Sequence, residues 1–447
     1  MTDEDLTALA AAAYVYGFPL VFDLEQVQRF SERGMGQLPA APFNTFAHAA
    51  KLAEPEDTFV SVNNDTIYSI AQLDLSGGAL LLHVPDSAGR YYVLQLVDAW
   101  TNNFAYVGRR ATGTGEGTFL LTPPGWSGTT PAGARRIAVP TDVATIVGRW
   151  ACDGEDDLPA VRALQRQLTL TAADGDANAC SGAGVPTAGE GLPEAVAFFE
   201  RLRVWMAAFP PSAAEQALQR RFEPLGLLDA HASYGHAPAA LTDVLTAGHA
   251  AGRAQVEEDS QGGLSEPVNG WSTLVHLFDY NADRLELGTI DTPAWKVADR
   301  ERAHVLRAVA ARVGLWGNHA YEAYYAQVFD DADGEPLDGA RRYEIRFETL
   351  PPVDAFWSLT MYDTPGYFLV ENPLERYSIG DRTPGLVRAA DGSLTLALQR
   401  EQPAERERRA NWLPTPAGGF RPMMRLYQPR PEVLDGGYAL PPIVRVG

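Results

Sequence analysis

Thr66-Ile67-Tyr68-Ser69-Ile70-Ala71-Gln72-Leu73-Asp74-Leu75 alternates, with Ile67, Ala71, Leu73 and Leu75 on one face and Thr66, Gln72 and Asp74 on the other. A period of two marks a strand with one face against a core. Gly77-Gly78 then turns the chain into Ala79–Val84, and Tyr91–Val97 is a nearly continuous apolar run, expected as a central strand. Phe104–Val107, Thr118–Leu121 and Arg136–Val139 are further short strands between Gly and Pro punctuation. Strand follows strand with no helix between, which predicts an antiparallel region and not a βαβ series.

Upstream, Leu6–Tyr16 is Ala-rich and apolar and predicts a helix ending near Gly17-Phe18-Pro19. Downstream, Thr141 to about Glu258 is expected to be helical, with helices over Pro159–Leu170, Pro193–Phe209, Ala213–Phe222 and Leu241–Val256. The acidic run Asp153–Asp157 either charges a helix N-terminus or forms a metal loop. Residues 172–191 and 261–271 are expected loops, and Trp295–Val328 a long helix with a break at Gly314 or Gly317-Asn318. Strands then return. Arg341–Thr349 alternates Tyr343, Ile345 and Phe347 with charged residues, and Ala355–Tyr362, Ser393–Gln399 and Met423–Tyr427 follow. The expectation is an α+β fold: two antiparallel β-sandwich-like units separated by a helical middle, divided at residues 1–140, 141–330 and 331–447.

The chain has 447 residues, 46% of them hydrophobic, and a net charge of −21. Such an acidic balance argues against nucleic-acid binding and against anionic membrane surfaces. All but two of the 36 basic residues are arginine, the exceptions being Lys51 and Lys296, so Schiff-base chemistry has almost no candidates. Cys152 and Cys180 form neither a C-x-x-C motif nor a disulfide framework. The acidic start Met1-Thr2-Asp3-Glu4-Asp5 lacks the basic segment of a signal peptide, and no uninterrupted apolar run reaches ~18–20 residues. A soluble cytoplasmic protein without a membrane partner is expected, with self-association into a homo-oligomer left open.

Val62-Asn63-Asn64-Asp65-Thr66-Ile67-Tyr68-Ser69 and Tyr91–Asn102 resemble the N-terminal half of a two-part bacterial family. Pro351–Asp363, Asn372-Pro373-Leu374, Arg376–Arg382 and Asn411-Trp412-Leu413-Pro414 resemble its C-terminal half. The halves are known as domains of unknown function, number 1254 for the first and number 1214 for the second. The resemblance covers nearly all of the chain outside the helical middle. It implies two β-sandwich-like units with helices between, and no established activity.

The candidate site residues cluster at strand ends. Asn63, Asn64 and Asp65 precede the first strand, where they either turn the chain or present polar groups at a sandwich rim; Tyr68 adds a phenol. Asp98 ends an apolar face that also carries Tyr92, Leu94, Leu96 and Trp100. It is either a paired structural carboxylate or an acid/base group with a raised pKa, framed by Trp100, Asn102 and Asn103 with Arg109 as its partner. Asn372, Glu375, Arg376, Tyr377, Asp381 and Arg382 either lock a loop or bring Arg376 and Tyr377 to a ligand. Trp357 and Tyr362 fall on opposite faces of one strand, so only one can line a pocket.

Other motifs fail on context. Gly113-x-Gly115-x-Gly117 precedes a strand, not a helix; Asp331-x-Asp333-Gly334 places Arg342 where a Ca²⁺ loop needs Glu; Gly125-Trp126-Ser127-Gly128-Thr129 misses the nucleophile elbow at its last residue. His231 and His236 do not share a helical face, and His319 is a better candidate than either, though it reads first as a satisfied core or helix-end histidine.

The leading expectation is an enzyme of hydrolase, lyase or isomerase type that needs no metal or cofactor. It would act on a small organic metabolite between the β units, with Asp98, Tyr68 and Asp65 in catalysis. Asn63, Asn64, Trp100, Asn102, Asn103, Arg109, Trp357, Asn372, Arg376 and Tyr377 would contact substrate. The alternative is a non-catalytic protein that binds a glycan or another polar ligand.

Overall fold

The computed structural model describes residues 2–57, 61–175, 182–229, 231–261 and 265–446. The alternating stretch is the strand Thr66–Asp74, paired along its whole length with Val143–Ala151. Tyr92–Asp98 and Asn103–Gly108 continue that sheet on one side and Ala47–His48 edges it on the other, all antiparallel. A smaller sheet of Arg135–Ala138, Gly117–Thr122, Leu80–Val84 and Thr169–Ala172 completes the first β unit.

The second β unit repeats the plan. Its main sheet runs Trp271–Thr273, Ala323–Val328, Phe420–Pro429, Val353–Asp363, Ser378–Gly380, again antiparallel. Its other sheet holds Trp412–Pro414, Leu394–Gln399, Tyr343–Phe347 and Val444–Arg445. The helices Glu194–Ala208 and Ala239–Gln261 lie between the units in sequence, Arg300–Gly314 follows Trp271–Thr273, and all three pack on the N-terminal helix. The α+β architecture with two β units is therefore the one expected.

Four local readings change. The N-terminal helix does not stop at Gly17-Phe18-Pro19 but runs over Asp3–Arg33. A Cβ at Gly17 would meet Leu202 at 2.4 Å, so the glycine admits a neighbouring helix and is not a terminator. Gly248 and Gly252 do the same for Ala239–Gln261, where a Cβ would meet Ala10 at 2.3 Å and Tyr14 at 2.6 Å. Pro19 removes one helical hydrogen bond, and the buried face of Tyr16, Leu20, Leu24 and Val27 outweighs it. By length and apolarity this helix would also pass for a membrane span, a test that a buried helix of a folded domain meets equally.

Val143–Ala151, expected in the helical middle, is a central strand with every residue buried. Its Val143, Thr145, Ile146 and Val147 are β-branched and suit a pleated surface. The helix expected over Pro159–Leu170 ends at Gln165, and Thr169–Ala172 is a strand. The helix expected over Trp295–Val328 is only Arg300–Gly314. Trp316 then adopts a positive φ of 62°, and a Cβ at Gly317 would meet Phe278 at 2.2 Å, so the chain leaves the helix and re-enters as the strand Ala323–Val328. The second β unit thus draws strands from residues expected in the helical middle. Cys152 is a buried free thiol; Cys180 and parts of both expected loops lie outside the described residues.

Candidate functional site

Side chains directly opposite each other in a sheet share a face, so strand register sorts the two main sheets. In the first, Tyr68 stands opposite Arg149, and Gln95 opposite Val147 and Tyr106; all lie on one face. The other face carries Ile67, Leu73, Trp150, Tyr92, Leu94, Leu96 and Asp98 against the apolar core. In the second sheet, Tyr325, Arg425 and Ser358 align, as do Gln327, Met423 and Thr360, Tyr427 and Phe356, and Arg421 and Tyr362. Its opposite face of Met424, Leu426, Trp357 and Leu359 forms a second core.

The two polar faces meet. Asn63 Nδ2 donates to the Tyr427 hydroxyl at 2.6 Å. Asp65 Oδ2 accepts from Ser358 Oγ at 2.6 Å and from the Tyr427 hydroxyl at 3.2 Å. Its Oδ1 accepts nothing among the described residues. Ser378 Oγ donates to Asn64 Oδ1 at 3.0 Å and the Tyr362 hydroxyl to the Val62 carbonyl at 2.6 Å. Arg149 lies 5.4 Å from the Tyr68 ring centroid and donates to Gln95 Oε1 and the Trp316 carbonyl, both at 2.8 Å. Arg425 donates to Thr360 Oγ1 and the Ser61 carbonyl, both at 2.9 Å.

Burial and then the Asp65 carboxylate push the Tyr427 phenol well above its ordinary value, so it stays a neutral donor. Tyr325 is also raised by burial, against the pull of Arg149 and Arg425. Tyr68 and Tyr325 are only partly buried, while Arg149, Arg425, Tyr427 and Asp65 around them are buried.

A second buried polar cluster adjoins this layer. Glu322 pairs with Arg110 at 2.6 Å and accepts from the Tyr91 hydroxyl at 3.2 Å. Burial raises Glu322 and lowers His319 to about 3, so the imidazole is neutral. Its Nδ1 lies 2.9 Å from the Tyr106 hydroxyl and 3.0 Å from that of Tyr321. His319 is thus a bonded core histidine, on a loop and not a helix end.

Asn63, Asn64, Asp65 and Tyr68 reach the inter-sheet layer. Arg109 does too, but not as the partner of Asp98: it donates to the Asp354 carbonyl and to Gln428 Oε1. Tyr377 packs nearby with Ala53, Val62 and Tyr362. Asn103 touches the edge of the layer, accepting from Gln95 Nε2 at 2.6 Å. The rest do not come together with them. Asp98 lies on the opposite face of the sheet from Tyr68. Its partner Ala144 is five residues along the shared strand from Arg149, the partner of Tyr68, or roughly 17 Å by strand rise. Acid–base work by Asp98 and Tyr68 together does not fit that placement.

Asp98 instead accepts from the backbone N–H of Trp100 and Asn102 and from Asn102 Nδ2, each at 2.9 Å, and burial raises its pKa. Trp100 is core, donating to the Phe209 carbonyl at 2.7 Å; Asn102 accepts from Arg307 at 3.0 Å and Asn103 bonds the Gly317 carbonyl at 2.9 Å. The hollow at that end, lined by Asn102, Glu215, Tyr280, Arg300 and Arg307, holds about 10 Å³, room for about one water. Trp357 is core, so Tyr362 is the residue of that strand facing the layer. Asn372 turns its own loop, and Arg376 donates to the carbonyls of Ala410 at 3.1 Å and Trp412 at 2.8 Å.

Sequence reading missed Arg149, Arg425, Tyr325, Tyr427 and Ser358. Arg149 sat in a segment expected to be helical, which hid its alternation. Arg421 and Arg425 alternate with Met424 and Leu426 in Phe420–Pro429, and that period of two was the available signal. Among the described residues no group of three His, Cys, Asp or Glu stands close enough to hold a metal ion.

The fold and this layer define a two-part α+β protein whose β units face each other across a buried polar seam. The chain belongs to the family whose halves are described as Protein of unknown function (DUF1254), matched at residues 43–172, and Protein of unknown function (DUF1214), matched at 322–431. The first match spans the first β unit, and the second covers the second unit apart from Trp271–Thr273 and Val444–Arg445. A crystal structure of the VPA0106 protein from Vibrio parahaemolyticus is similar over 99% of this chain and 100% of its own, with 23% identity and a TM-score of 0.73, a likeness of fold. A crystal structure of an uncharacterised protein from Burkholderia cenocepacia covers 98% of this chain and 94% of its own with 13% identity and a TM-score of 0.44. No curated protein matches.

Proposed function

We propose that this protein is an enzyme of hydrolase, lyase or isomerase type that transforms a small organic metabolite between its two main sheets. The observation that carries this reading is the company of Tyr68. A partly buried phenol faces buried Arg149 in the same polar layer as Asp65, whose Oδ1 accepts no bond from the described residues. A carboxylate oxygen free to take a proton, phenols able to give one, and a guanidinium beside developing negative charge are the parts of acid–base catalysis on a polarised substrate. In this reading Asp65 is the base, Tyr68 the acid, and Ser358 and Tyr427 hold Asp65 in place.

The test is a turnover screen of small metabolites with product detection by mass. Tyr68→Phe and Asp65→Asn, checked for folding, should each lower kcat by about a hundredfold or more. Both variants turning over an identified substrate at the full rate would sink the proposal. A ligand that binds between the sheets and is never converted would instead favour a non-catalytic binder of polar ligands.

A further inference from the structure

The polar layer holds more positive charge than the protein neutralises. Arg149, Arg421 and Arg425 are all at least nine-tenths buried. Among the described residues no carboxylate lies within ion-pair distance of any of them. Arg149 spends its donors on the side-chain amides of Gln95 and, at 3.5 Å, Asn318 and on a carbonyl, Arg425 on a hydroxyl and a carbonyl, and Arg421 on Gln327 Oε1 at 2.8 Å and the Ser61 hydroxyl. Among the described residues Arg421 Nε has no hydrogen-bond partner. Buried guanidinium groups are costly unless charge balances them; among the described residues Asp65 is the carboxylate that bonds across this seam, while Glu322 of the adjoining cluster is paired with Arg110.

Like charges also converge here. Arg421 and Arg425 both bond Ser61 and both lie over the Tyr362 ring, at 5.4 and 5.7 Å. Burial, and after it the charge of Arg425, pull Arg421 down to about 10. On the other side, Arg421 lies 4.4 Å from the Tyr367 ring and 5.8 Å from that of Phe329. Those two rings line a surface groove of about 540 Å³ whose wall also carries Asp330, Asp338, Arg341 and Thr364, so the groove opens beside Arg421. The rest of the chain is strongly acidic, with a net charge of −21, so attraction for anions arises locally.

We propose that the ligand of this seam is a small organic anion, a carboxylate or phosphate bearing metabolite, held between Arg149 of the first sheet and Arg425 of the second beside Tyr68 and Tyr325. Arg421 stands at the groove end and draws the anion in. This rests on the reading of the seam as the functional site and names the substrate class it takes.

The experiment is calorimetric titration of the intact protein at fixed ionic strength with matched pairs: benzoate and benzamide, succinate and succinamide, with inorganic phosphate alongside. The acids should bind at least about tenfold tighter than the amides. Arg149→Gln and Arg425→Gln should each lose about that factor, Arg149→Lys less of it, and Arg346→Gln on the surface none. Should the glutamine variants fail to fold, the acid–amide difference in the unaltered protein decides. Amides that bind as tightly as acids, with binding lost in Tyr325→Phe, would overturn the anion while sparing the site. No binding of either kind, or binding indifferent to both the arginine and tyrosine substitutions, would overturn both.

Discussion

Asp98 shows how a single residue can carry chemical promise and still serve the fold. Three donors converge on it, one from a side chain and two from the turn that joins neighbouring strands. Its raised pKa comes first from burial, with Asn102 and Arg307 acting the other way. The sequence showed its apolar face correctly, and that same face puts it away from Tyr68. Asp98→Ala should cost about 3 kcal/mol in urea unfolding, because the donors left behind stay buried, with binding in the seam unchanged. An unchanged unfolding midpoint with altered binding would place Asp98 in the site after all. Asp65 differs because register, not residue type, turns it toward Ser358 and Tyr427, some 290 and 360 residues away in sequence. Pairing at that range is set by the docking of two sheets, which local periodicity does not encode.

At the scale of elements, alternation was legible where polar and apolar residue types alternate, on a wet face in Tyr343–Phe347 and on a buried one in Thr66–Asp74. Val143–Ala151 was not, since apolar residues occupy both of its buried faces. Glycines misled in the N-terminal helix because they serve contact between helices, which a single sequence does not reveal. The helices are also tied by charge. Glu215 of the helix Ala213–Gln219 bonds His304 and Arg300 of Arg300–Gly314, both at 2.8 Å. Burial would raise Glu215, but the His304 hydrogen bond and the charges of Arg307 and Arg300 prevail and hold it at about 2, below its ordinary 4.5. A depressed carboxylate pKa gives stability that is present above the unfolded value and lost as pH falls through the folded one. That contribution should disappear between about pH 4.5 and pH 2. Glu215→Gln should cost about 3 kcal/mol at neutral pH and flatten the acid limb of a plot of unfolding free energy against pH. A variant with the same acid limb as the parent would refute this role for the pair.

For the whole molecule, the decisive feature is that each main sheet puts its apolar face outward to its own core and its polar face toward the other unit. The family bounds at 43–172 and 322–431 mark these two units, and the seam between them takes residues from both. The strand content, the α+β class and the polar rim at Asn63-Asn64-Asp65 were readable in sequence; the arginines opposite were not, because only the docked sheets bring them together. The role proposed for this seam is to hold a small anion. The most direct measurement is a crystal structure of the protein grown with benzoate. That role predicts ligand density between Arg149 and Arg425, within about 4 Å of Tyr68 and Tyr325. Density at the Asn102–Arg307 end, on the outer surface alone, or nowhere would contradict it.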